Sequence, residues 1–241
     1  DVGIGRLAET EKIISAVIAA FDGGKLDMAG MNVLVTAGPT REPVDPVRFV
    51  SNYSSGKMGY AIAEAAADRG ANVTLISGPT DIPVPKNVDL VRVETAQEML
   101  DAAMNKFVVN DIVIAAAAVA DYRPAKKADQ KLKKEDKLLQ LELEKTEDIL
   151  TNIGKIKGDK ILVGFAAETE NIAENARKKL SKKNLDLIVA NDVSDPEGVF
   201  GSETNVVTFI PRQGEPVSLP RMSKREIAHE ILNYIKTNIH R

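Results

Sequence analysis

The strongest constraint on the fold is a regular alternation of short apolar runs with helical stretches. The apolar runs at residues 31–37 and 71–77 both end in a Gly-Pro pair, and the alanine-rich stretch 57–69 lies between them. Continuous apolar runs are typical of strands that are buried on both faces. Parallel strands need a crossover connection, usually a helix, and the alanine-rich stretch provides one. The sequence therefore predicts a parallel sheet covered by helices.

The alternation continues to the end of the chain. Further strands are predicted at residues 88–93, 111–118, 161–165 and 185–190, helices at about 96–106, 147–155, 170–183 and 223–237, and a terminal hairpin at 204–210 and 217–219. With the right-handed crossover rule, this order predicts an α/β fold with a doubly wound, mostly parallel, Rossmann-like sheet.

An antiparallel ribbon, or flap, is predicted as an insertion. Leu139, Leu141 and Leu143 alternate with polar residues, which is the pattern of a half-exposed strand. We expect its partner at residues 131–134. The segment 126–137 holds six lysines in twelve residues. Because these charges repel one another, we also expect the segment to be mobile until an anion neutralises it.

The composition excludes several classes of function. The chain has 241 residues and no cysteine, and its two histidines, His229 and His240, lie close to the C-terminus. Thiolate or histidine metal sites, cysteine nucleophiles and Ser-His-Asp triads are thereby excluded. The net charge of -3 argues against a general nucleic-acid binder, and no apolar run is long enough to span a membrane. The chain shows no signal peptide, so we expect a cytoplasmic protein.

The stretch from Asn52 to Gly59, which reads NYSSGKMG, is the most informative motif. It precedes the first predicted helix, and a helix N-terminus offers free N–H groups and a partial positive charge to an anion. The plainer interpretation is a serine that caps the helix. The motif is not a Walker A loop, because Ser51 and Met58 stand where that loop needs Gly and Ser/Thr. The dinucleotide-binding pattern G-x-G-x-x-G is absent as well.

Other residues predict a nucleotide site, each with a structural alternative. Four alanines at 115–118 lie at the carboxyl end of a central strand, where open α/β sheets bind ligands. Asp121 then holds a ribose hydroxyl or closes a turn. Lys179 and Lys183 share a helix face that meets either an anion or water. Phe165 stacks on a base or packs in the core. The lysine segment closes over a polyphosphate or is a solvated face.

Six motifs in a fixed order point to a family. They are VTAGPT at 35–40, SNYSSGKMG at 51–59, AAVADYRP at 117–124, KLKK at 131–134, GFAAET at 164–169 and NLDLIVAND at 184–192. From about residue 30 onward the chain resembles the bacterial phosphopantothenoylcysteine synthetases, the second domain of the bifunctional coenzyme A biosynthesis proteins.

The resemblance implies a CTP-dependent phosphopantothenate–cysteine ligase of coenzyme A biosynthesis. Such an enzyme joins 4'-phosphopantothenate to L-cysteine through an acyl-cytidylate and releases pyrophosphate and CMP. Mg²⁺ is expected to travel on the CTP phosphates, because no acidic cluster in the sequence looks like a dedicated metal cage. The family also implies a homodimer, which would share the ribbon at residues 126–145.

The same resemblance implies functional residues position by position. Asn52 is expected to act on the acyl-cytidylate and Lys131 on the triphosphate, while Ser54, Ser55 and Gly56 bind the pantothenate phosphate. The other implied nucleotide-binding residues are Ala117, Asp121, Glu147, Asp148, Ile149, Leu150, Phe165, Lys179 and Lys183. The family has a Pro at the position of Glu147, so a backbone contact is what we expect there.

Two domains are expected. Residues 1–30 resemble the linker and tail of a preceding phosphopantothenoylcysteine decarboxylase domain, and residues 31–241 form the synthetase domain. Because the chain begins at Asp1 rather than at a Met, we interpret it as part of a longer protein. No decarboxylase activity is assigned to it.

Two other functions stay open on the sequence. An NAD(P)-dependent oxidoreductase is disfavoured by the missing glycine pattern. A non-catalytic nucleotide-binding domain would bind CTP and release no pyrophosphate. The sequence also leaves open whether ATP replaces CTP.

Overall fold

The computed structural model describes residues 26–133, 139–168, 172–192 and 202–239. Within these ranges the strands are β1 (Asn32–Ala37), β2 (Arg41–Pro43), β3 (Phe49–Ser51), β4 (Asn72–Ser77), β5 (Val88–Arg92), β6 (Ile112–Ala115), β7 (Tyr122–Pro124), β8 (Leu143–Lys145), β9 (Ile161–Glu168), β10 (Leu187–Asp192), β11 (Thr204–Asn205), β12 (Val207–Pro211), β13 (Val217–Ser218) and β14 (Met222–Ser223). The helices are α1 (Lys57–Asp68), α2 (Ala96–Phe107), α3 (Ile149–Ile156), α4 (Ile172–Lys182) and α5 (Lys224–Asn238).

Eight of these strands form one sheet in the order β13-β12-β10-β9-β6-β1-β4-β5. The pairs from β10 to β5 are all parallel, whereas β12 and β13 add an antiparallel edge. The doubly wound α/β fold predicted from the sequence is thereby confirmed. The chain leaves β1 for β4 on one side and later returns to β6 on the other. The carboxyl ends of β1 and β6 are thus the switch point at which such sheets bind ligands.

Helices cover both faces of the sheet because successive side chains of a strand point to opposite sides. Val33 and Val35 of β1 face a core built with α1 and α5, and Leu34 faces a second core built with α2, α3 and α4. The largest fully buried side chains include Met28, Leu34, Ile62, Leu75, Ile76, Met99, Ile112, Ile114, Ile153, Leu162, Leu185 and Phe209. These two cores hold the strand ends in fixed register.

Two helices begin with a capping box. Thr95 accepts from the Glu98 backbone N–H at 3.2 Å before α2, and Ser223 accepts from that of Glu226 at 3.2 Å before α5. Each box satisfies N–H groups that the first helical turn leaves unpaired. Helix α1 begins differently, at Gly56, where no described side chain provides a cap.

The ribbon is present, but its predicted pairing is wrong. Strand β8 pairs antiparallel with β7, and residues 131–133, the described part of the expected partner, lie in no strand. The backbone N–H groups of Ala128 and Leu132 instead bind the Val44 carbonyl and the Asp45 carboxylate, at 2.9 and 3.1 Å. The Leu132 N–H and carbonyl are thus bound to Asp45 and Arg48, in the loop between β2 and β3, and not to β8.

Residues 39–50 are rich in Pro, Arg and Asp, a composition that predicts a loop between β1 and α1, but the structure differs. Strands β2 and β3 form a small antiparallel hairpin there. Residues 204–205 likewise leave the predicted terminal hairpin and pair with β14, whereas β12 and β13 form the hairpin itself.

None of the described helices is long and apolar enough to cross a membrane.

Candidate active site

The switch point is closed by backbone hydrogen bonds that continue beyond the strands. The Ala118 N–H donates to the Gly38 carbonyl at 2.9 Å, and the Thr40 N–H donates to the Ala118 carbonyl at 3.3 Å. Pro39 and Ala118 form an isolated parallel bridge. The parallel pairing of β1 with β6 therefore continues beyond the ends of both strands, up to Thr40 and Ala118.

Two buried threonines, which the sequence analysis missed, brace the same junction. The Thr36 hydroxyl accepts from the Ala117 N–H at 3.3 Å, and the Thr40 hydroxyl accepts from the Ala120 N–H at 2.9 Å. Both side chains are at most 1% exposed. A polar residue inside an otherwise apolar strand was the available signal, since buried hydroxyls need partners. The loop that carries Ala117 is therefore rigidly attached to β1.

Helix α1 points its N-terminus at this junction. Its N-cap residue is Gly56, with φ of 80°, and the Gly56 N–H donates to the Ser54 hydroxyl at 3.2 Å. The plainer interpretation, a serine that caps the helix, is therefore wrong. A left-handed backbone at the cap favours glycine. The first turn of α1 has no cap among the described side chains, and such a helix end is suited to an anion.

Close packing at two glycines brings α1 against the strand ends. A Cβ on Gly59 would lie 2.5 Å from the Ala37 Cβ, and one on Gly56 would lie 3.3 Å from the Gly38 Cα and 2.7 Å from the Thr80 Cγ2. Real Cβ atoms do not approach this closely. The absence of side chains at these positions thus places the start of α1 directly beside the carboxyl end of β1.

Asn52 links the loop before α1 to the loop after β6. Its side-chain Nδ2 donates to the Val119 carbonyl at 2.9 Å, although the residue as a whole is exposed. Ser54 and Ser55, half-buried, lie between Asn52 and the helix. The structure therefore brings the predicted substrate residues together with the loop that carries Ala117, with the Asn52 amide at their junction.

Two predicted nucleotide residues contact each other at the start of α3. The Lys183 Nζ lies 2.7 Å from the Asp148 carboxylate, which also caps the helix by accepting from the Thr151 N–H at 2.9 Å. Burial raises the pKa of the Asp148 carboxyl, but the Lys183 ammonium and the Thr151 N–H outweigh burial, so that pKa lies below its usual value. Asp148 is thus a charged cap, and Lys183 is held at the helix N-terminus.

The remaining predicted nucleotide residues lie on both faces of the sheet. Ala117 and Leu150 pack against the core of α2, α3 and α4, and Ile149 is buried in it. Phe165 packs against the opposite core, on the side of α1. Asp121 is exposed at the end of the β6 loop. Its backbone carbonyl accepts from the Thr146 N–H at 3.0 Å.

Three charged positions differ in how firmly they are attached. Glu147 is exposed and its carboxylate accepts from the Asn152 amide at 3.3 Å. Lys179 is exposed on α4, and Lys131 is exposed beside the anchored Leu132. The lysine segment is therefore attached to the protein body immediately next to Lys131, through Leu132, while residues 134–138 lie outside the described ranges.

The chain path after β1 bears on the oxidoreductase alternative. Dinucleotide-binding folds connect the first strand to the first helix by a short glycine-rich turn. Here the hairpin β2–β3 stands between β1 and α1. The helix N-terminus is thus presented by a long connection, which disfavours that alternative.

Elsewhere on the described surface, neither a cluster of metal-ligating side chains nor a cavity points to a functional site. No group of three or more His, Cys, Asp or Glu side chains in the described ranges could hold a metal ion. A groove of about 330 Å³ lies between Glu42, Thr95, Arg123 and Glu144, and a shallow depression follows the charged outer face of α4. Neither contains a predicted site residue, so we place the site by the strand ends rather than by these cavities.

Comparisons with known proteins identify the family of the chain. Residues 28–239 match the family described as DNA/pantothenate metabolism flavoprotein C-terminal domain. The chain is 49% identical over 236 residues to the coenzyme A biosynthesis bifunctional protein CoaBC of Bacillus subtilis. The matched region covers 97% of this chain and 58% of that protein. The chain therefore spans less than two thirds of that relative.

Solved structures extend the comparison. The crystal structure of the C-terminal domain of a CoaBC protein superposes with a TM-score of 0.75 at 47% identity, covering 87% of this chain and 95% of that one. A Cab2 mutant in complex with phosphopantothenate-cysteine gives a TM-score of 0.68 at 17% identity, covering 96% and 95%, which shows a shared fold. The chain belongs to the family of the DNA/pantothenate metabolism flavoprotein C-terminal domain.

Proposed function

We propose that the chain is the ligase domain that joins 4'-phosphopantothenate to L-cysteine at the expense of CTP. The observation that carries the proposal is the hydrogen bond from Asn52 to the Val119 carbonyl, which joins an uncapped helix N-terminus to the β6 loop. The N-terminus of α1 and the loop after β6 therefore meet at the Asn52 amide. The 49% identity to a CoaBC protein, named for coenzyme A biosynthesis, supports this choice of substrates.

The phosphate of 4'-phosphopantothenate is proposed to sit on the N-terminus of α1. Ser54, Ser55 and Gly56 would surround it, with N–H groups and hydroxyls as donors. The half-buried position of both serines limits competition by water. This arrangement would direct the carboxylate end of the substrate towards Asn52.

CTP is proposed to lie along the carboxyl ends of β6 and β9. Ala117 and Asp121 would contact the nucleoside, and the backbone of residues 147–150 would line the site. The Lys183 ammonium already balances Asp148, so its remaining donors can turn to phosphate oxygens. Lys131 and Lys179, both exposed, would approach the triphosphate from outside, and Phe165 would close the site on the α1 side.

The proposed reaction has two steps. A carboxylate oxygen of 4'-phosphopantothenate attacks the α-phosphorus of CTP, and the bond to the departing pyrophosphate breaks. The cysteine amine then attacks the acyl carbonyl, loses a proton and expels CMP. Cationic donors such as Lys131 would stabilise charge that grows on the leaving pyrophosphate. The Asn52 amide, with one N–H used on Val119, keeps a second N–H and its oxygen for the acyl group.

Mg²⁺ is proposed to enter with CTP. The described carboxylates form no cage for it, and Mg²⁺ usually keeps several waters while binding substrate phosphates. The ion would offset negative charge on the triphosphate.

The assembly of the domain is also a proposal. Leu139, Leu141 and Leu143 are between 42% and 56% exposed, and an apolar strip of this kind suits a second copy of the chain.

We further propose that residues 1–30 join the domain, residues 31–241, to a preceding decarboxylase domain and that the protein works in the cytoplasm.

A pyrophosphate-release assay tests the function. We expect release with 4'-phosphopantothenate and CTP and Mg²⁺, less with ATP, and CMP together with the cysteine adduct once L-cysteine is added. Nucleotide binding without any pyrophosphate would instead identify a non-catalytic nucleotide-binding domain.

A further inference from the structure

Asp45, in the hairpin loop between β2 and β3, carries a buried carboxylate that is not among the residues proposed to bind substrate or CTP. Its side chain is 0% exposed. The Oδ1 atom accepts from the backbone N–H groups of Val47 and Arg48, each at 2.8 Å. The Oδ2 atom accepts from the Arg48 Nε at 2.9 Å and from the Leu132 N–H at 3.1 Å. Both oxygens are therefore fully used.

The bond to Leu132 joins segments that are 87 residues apart in the chain. Arg48 completes the attachment, because its Nη2 donates to the Leu132 carbonyl at 2.7 Å. The N–H and the carbonyl of Leu132 are thus both bound, and the Ala128 N–H adds a bond of 2.9 Å to the Val44 carbonyl. Since Leu132 follows Lys131 directly, this attachment fixes the backbone from which Lys131 extends.

The attachment is charged under all ordinary conditions. Burial by itself raises the pKa of the Asp45 carboxyl, but the Arg48 guanidinium and the N–H groups of Val47 and Leu132 outweigh burial. The pKa of this carboxyl consequently lies well below its usual range. Hydrogen bonds to a charged acceptor are stronger than neutral ones, so the anchor is a firm one.

We propose that Asp45 is a positioning residue of the ligase, which acts through Leu132 to hold Lys131 in reach of the CTP phosphates. This inference rests on the proposed function. The sequence predicts a mobile lysine segment, whereas this proposal gives the segment a fixed point at Leu132. A misplacement of about 1 Å in a positioned group costs on the order of 100-fold in rate, which sets the expected effect.

Asp45→Asn is the sharpest variant. Its amide oxygen can keep the bonds to Val47 and Arg48 N–H, while its NH₂ group would face the Leu132 N–H and the Arg48 guanidinium, which are donors too. The hairpin turn should persist and the anchor should fail. Glu42→Gln is the matched control, because Glu42 is equally buried on the same hairpin but accepts from the Ala96 N–H, at 2.8 Å, and not from Leu132.

Pyrophosphate release in a double-mutant cycle with Lys131→Gln measures whether Asp45 acts through Lys131. We expect Asp45→Asn to lower the rate about 10- to 100-fold in the wild-type background and less than about 3-fold in the Lys131→Gln background, since coupled residues are not additive. Glu42→Gln should change the rate less than 3-fold in both. An equal loss from Asp45→Asn in both backgrounds would show a general structural effect and overturn the proposal.

Limited trypsin digestion of the native protein tests the anchor independently of activity. Cleavage after Lys126, Lys127 and Lys133 should be at least several-fold faster in Asp45→Asn than in wild type or Glu42→Gln. Leu132→Pro deletes the same N–H from the other side of the bond without altering the buried carboxylate, and it should reproduce the faster cleavage after Lys133. Unchanged cleavage in both variants would overturn the anchor.

The two proposals fail in different ways. A wild-type protein that releases no pyrophosphate would refute the ligase, whereas digestion would still decide whether Asp45 anchors the segment. An active wild type whose Asp45→Asn variant is digested and reacts like the control would refute the positioning role alone.

Discussion

The two ends of the same parallel sheet have opposite chemistry. At the amino end, polar side chains close on partners within the protein. Asp111, before β6, accepts from the Asn32 N–H at 2.9 Å. Asp186, before β10, pairs with the buried Lys157 and accepts from the Leu162 N–H at 2.8 Å. These contacts fasten one strand start to the next, and Lys157 balances the charge of Asp186.

At the carboxyl end the two central strands, β1 and β6, both finish in alanine. Ala118 contacts Gly38 through the backbone, and the exposed Asn52 and Lys131 extend from segments that hydrogen bonds fix in place. Backbone bonds and a few side chains, such as Thr36 and Thr40, hold these segments, so other polar side chains remain exposed. The comparison teaches that one end of the sheet can carry function because the other end supplies stability. Substitutions at the two ends should therefore separate stability from activity.

The largest effect is expected from Lys157→Met at the amino end. The side chains of Lys157 and Asp186 are 8% and 17% exposed, and Met leaves the Asp186 carboxylate buried without its cation. Removing one partner of a buried pair costs about 3–5 kcal/mol of unfolding free energy. Urea denaturation measures this loss. KM for CTP should stay unchanged at temperatures where the variant is folded.

Lys106→Met is the matched control for that change. Its ammonium lies 3.5 Å from Asp89 in an exposed pair, so we expect less than about 1 kcal/mol. Equal losses from the two Lys→Met variants, or a raised KM in Lys157→Met, would contradict the separation of the two ends.

Lys131→Gln at the carboxyl end should do the opposite. Loss of one charge-stabilising donor costs about 100- to 1,000-fold in rate, so pyrophosphate release should fall by that factor. The unfolding free energy should change by less than about 0.5 kcal/mol, since the side chain is exposed. Lys133→Gln, two residues away, tests for a mere effect of net charge. A comparable loss in that variant would identify the segment as a diffuse cationic surface.

Asn52→Asp sharpens the comparison within the carboxyl end itself. The Asp side chain places a carboxylate oxygen near the Val119 carbonyl and removes the NH₂ donors, so attack by cysteine should slow on the order of 100-fold. Pyrophosphate release should persist, because the proposed contacts to CTP are made by other residues. Mass spectrometry should then detect an accumulating 4'-phosphopantothenoyl-cytidylate.

Ser51→Ala is the control for a loop effect at Asn52. The Ser51 hydroxyl donates to the Thr40 carbonyl at 2.7 Å in the same loop, and it offers nothing to the acyl group. If Ser51→Ala also accumulates the intermediate, Asn52 acts by shaping the loop. If Asn52→Asp blocks both half-reactions together, the proposed role of the amide is wrong.

The sequence predicted the sheet and its helices because their signals are local. Continuous apolar runs, as in β1, and Gly-Pro ends mark strands wherever the chain is read, and their alternation with helices indicates a doubly wound parallel sheet. The carboxyl-end site could be predicted for the same reason. Alanines and a polar turn at the end of a central strand, as at residues 115–121, are visible without any long-range contact.

What the sequence did not predict depends on distant partners. The hairpin β2–β3 is held by Glu42, which binds the Ala96 N–H across 54 residues, and by Asp45, which binds Leu132 across 87. Neither acidic residue carries a local pattern that marks it as buried. The wrong partner assigned to the ribbon has the same cause, since alternation of Leu139 to Leu143 indicates a strand but not its neighbour.

The smallest effect is expected at Asp27, which joins the start of the described chain to α1 and α5. Its carboxylate accepts from the Arg69 Nε and Nη2 at 2.8 and 2.7 Å and from the Lys236 Nζ at 2.8 Å. The bond from Arg69 is the main reason that the pKa of Asp27 lies well below its usual value; burial raises that pKa, and Lys236 lowers it further. Because the folded pKa is depressed, this stabilisation is complete above the unfolded value of about 3.9 and is lost as the pH falls below it. Asp27→Asn should therefore cost about 1–2 kcal/mol of unfolding free energy at pH 7 and clearly less at pH 3, as measured by urea denaturation at both pH values. Pyrophosphate release should not change, because these residues lie at the amino end of the sheet. A difference between wild type and Asp27→Asn that is the same at both pH values would show that the contact stabilises the protein through packing rather than through charge.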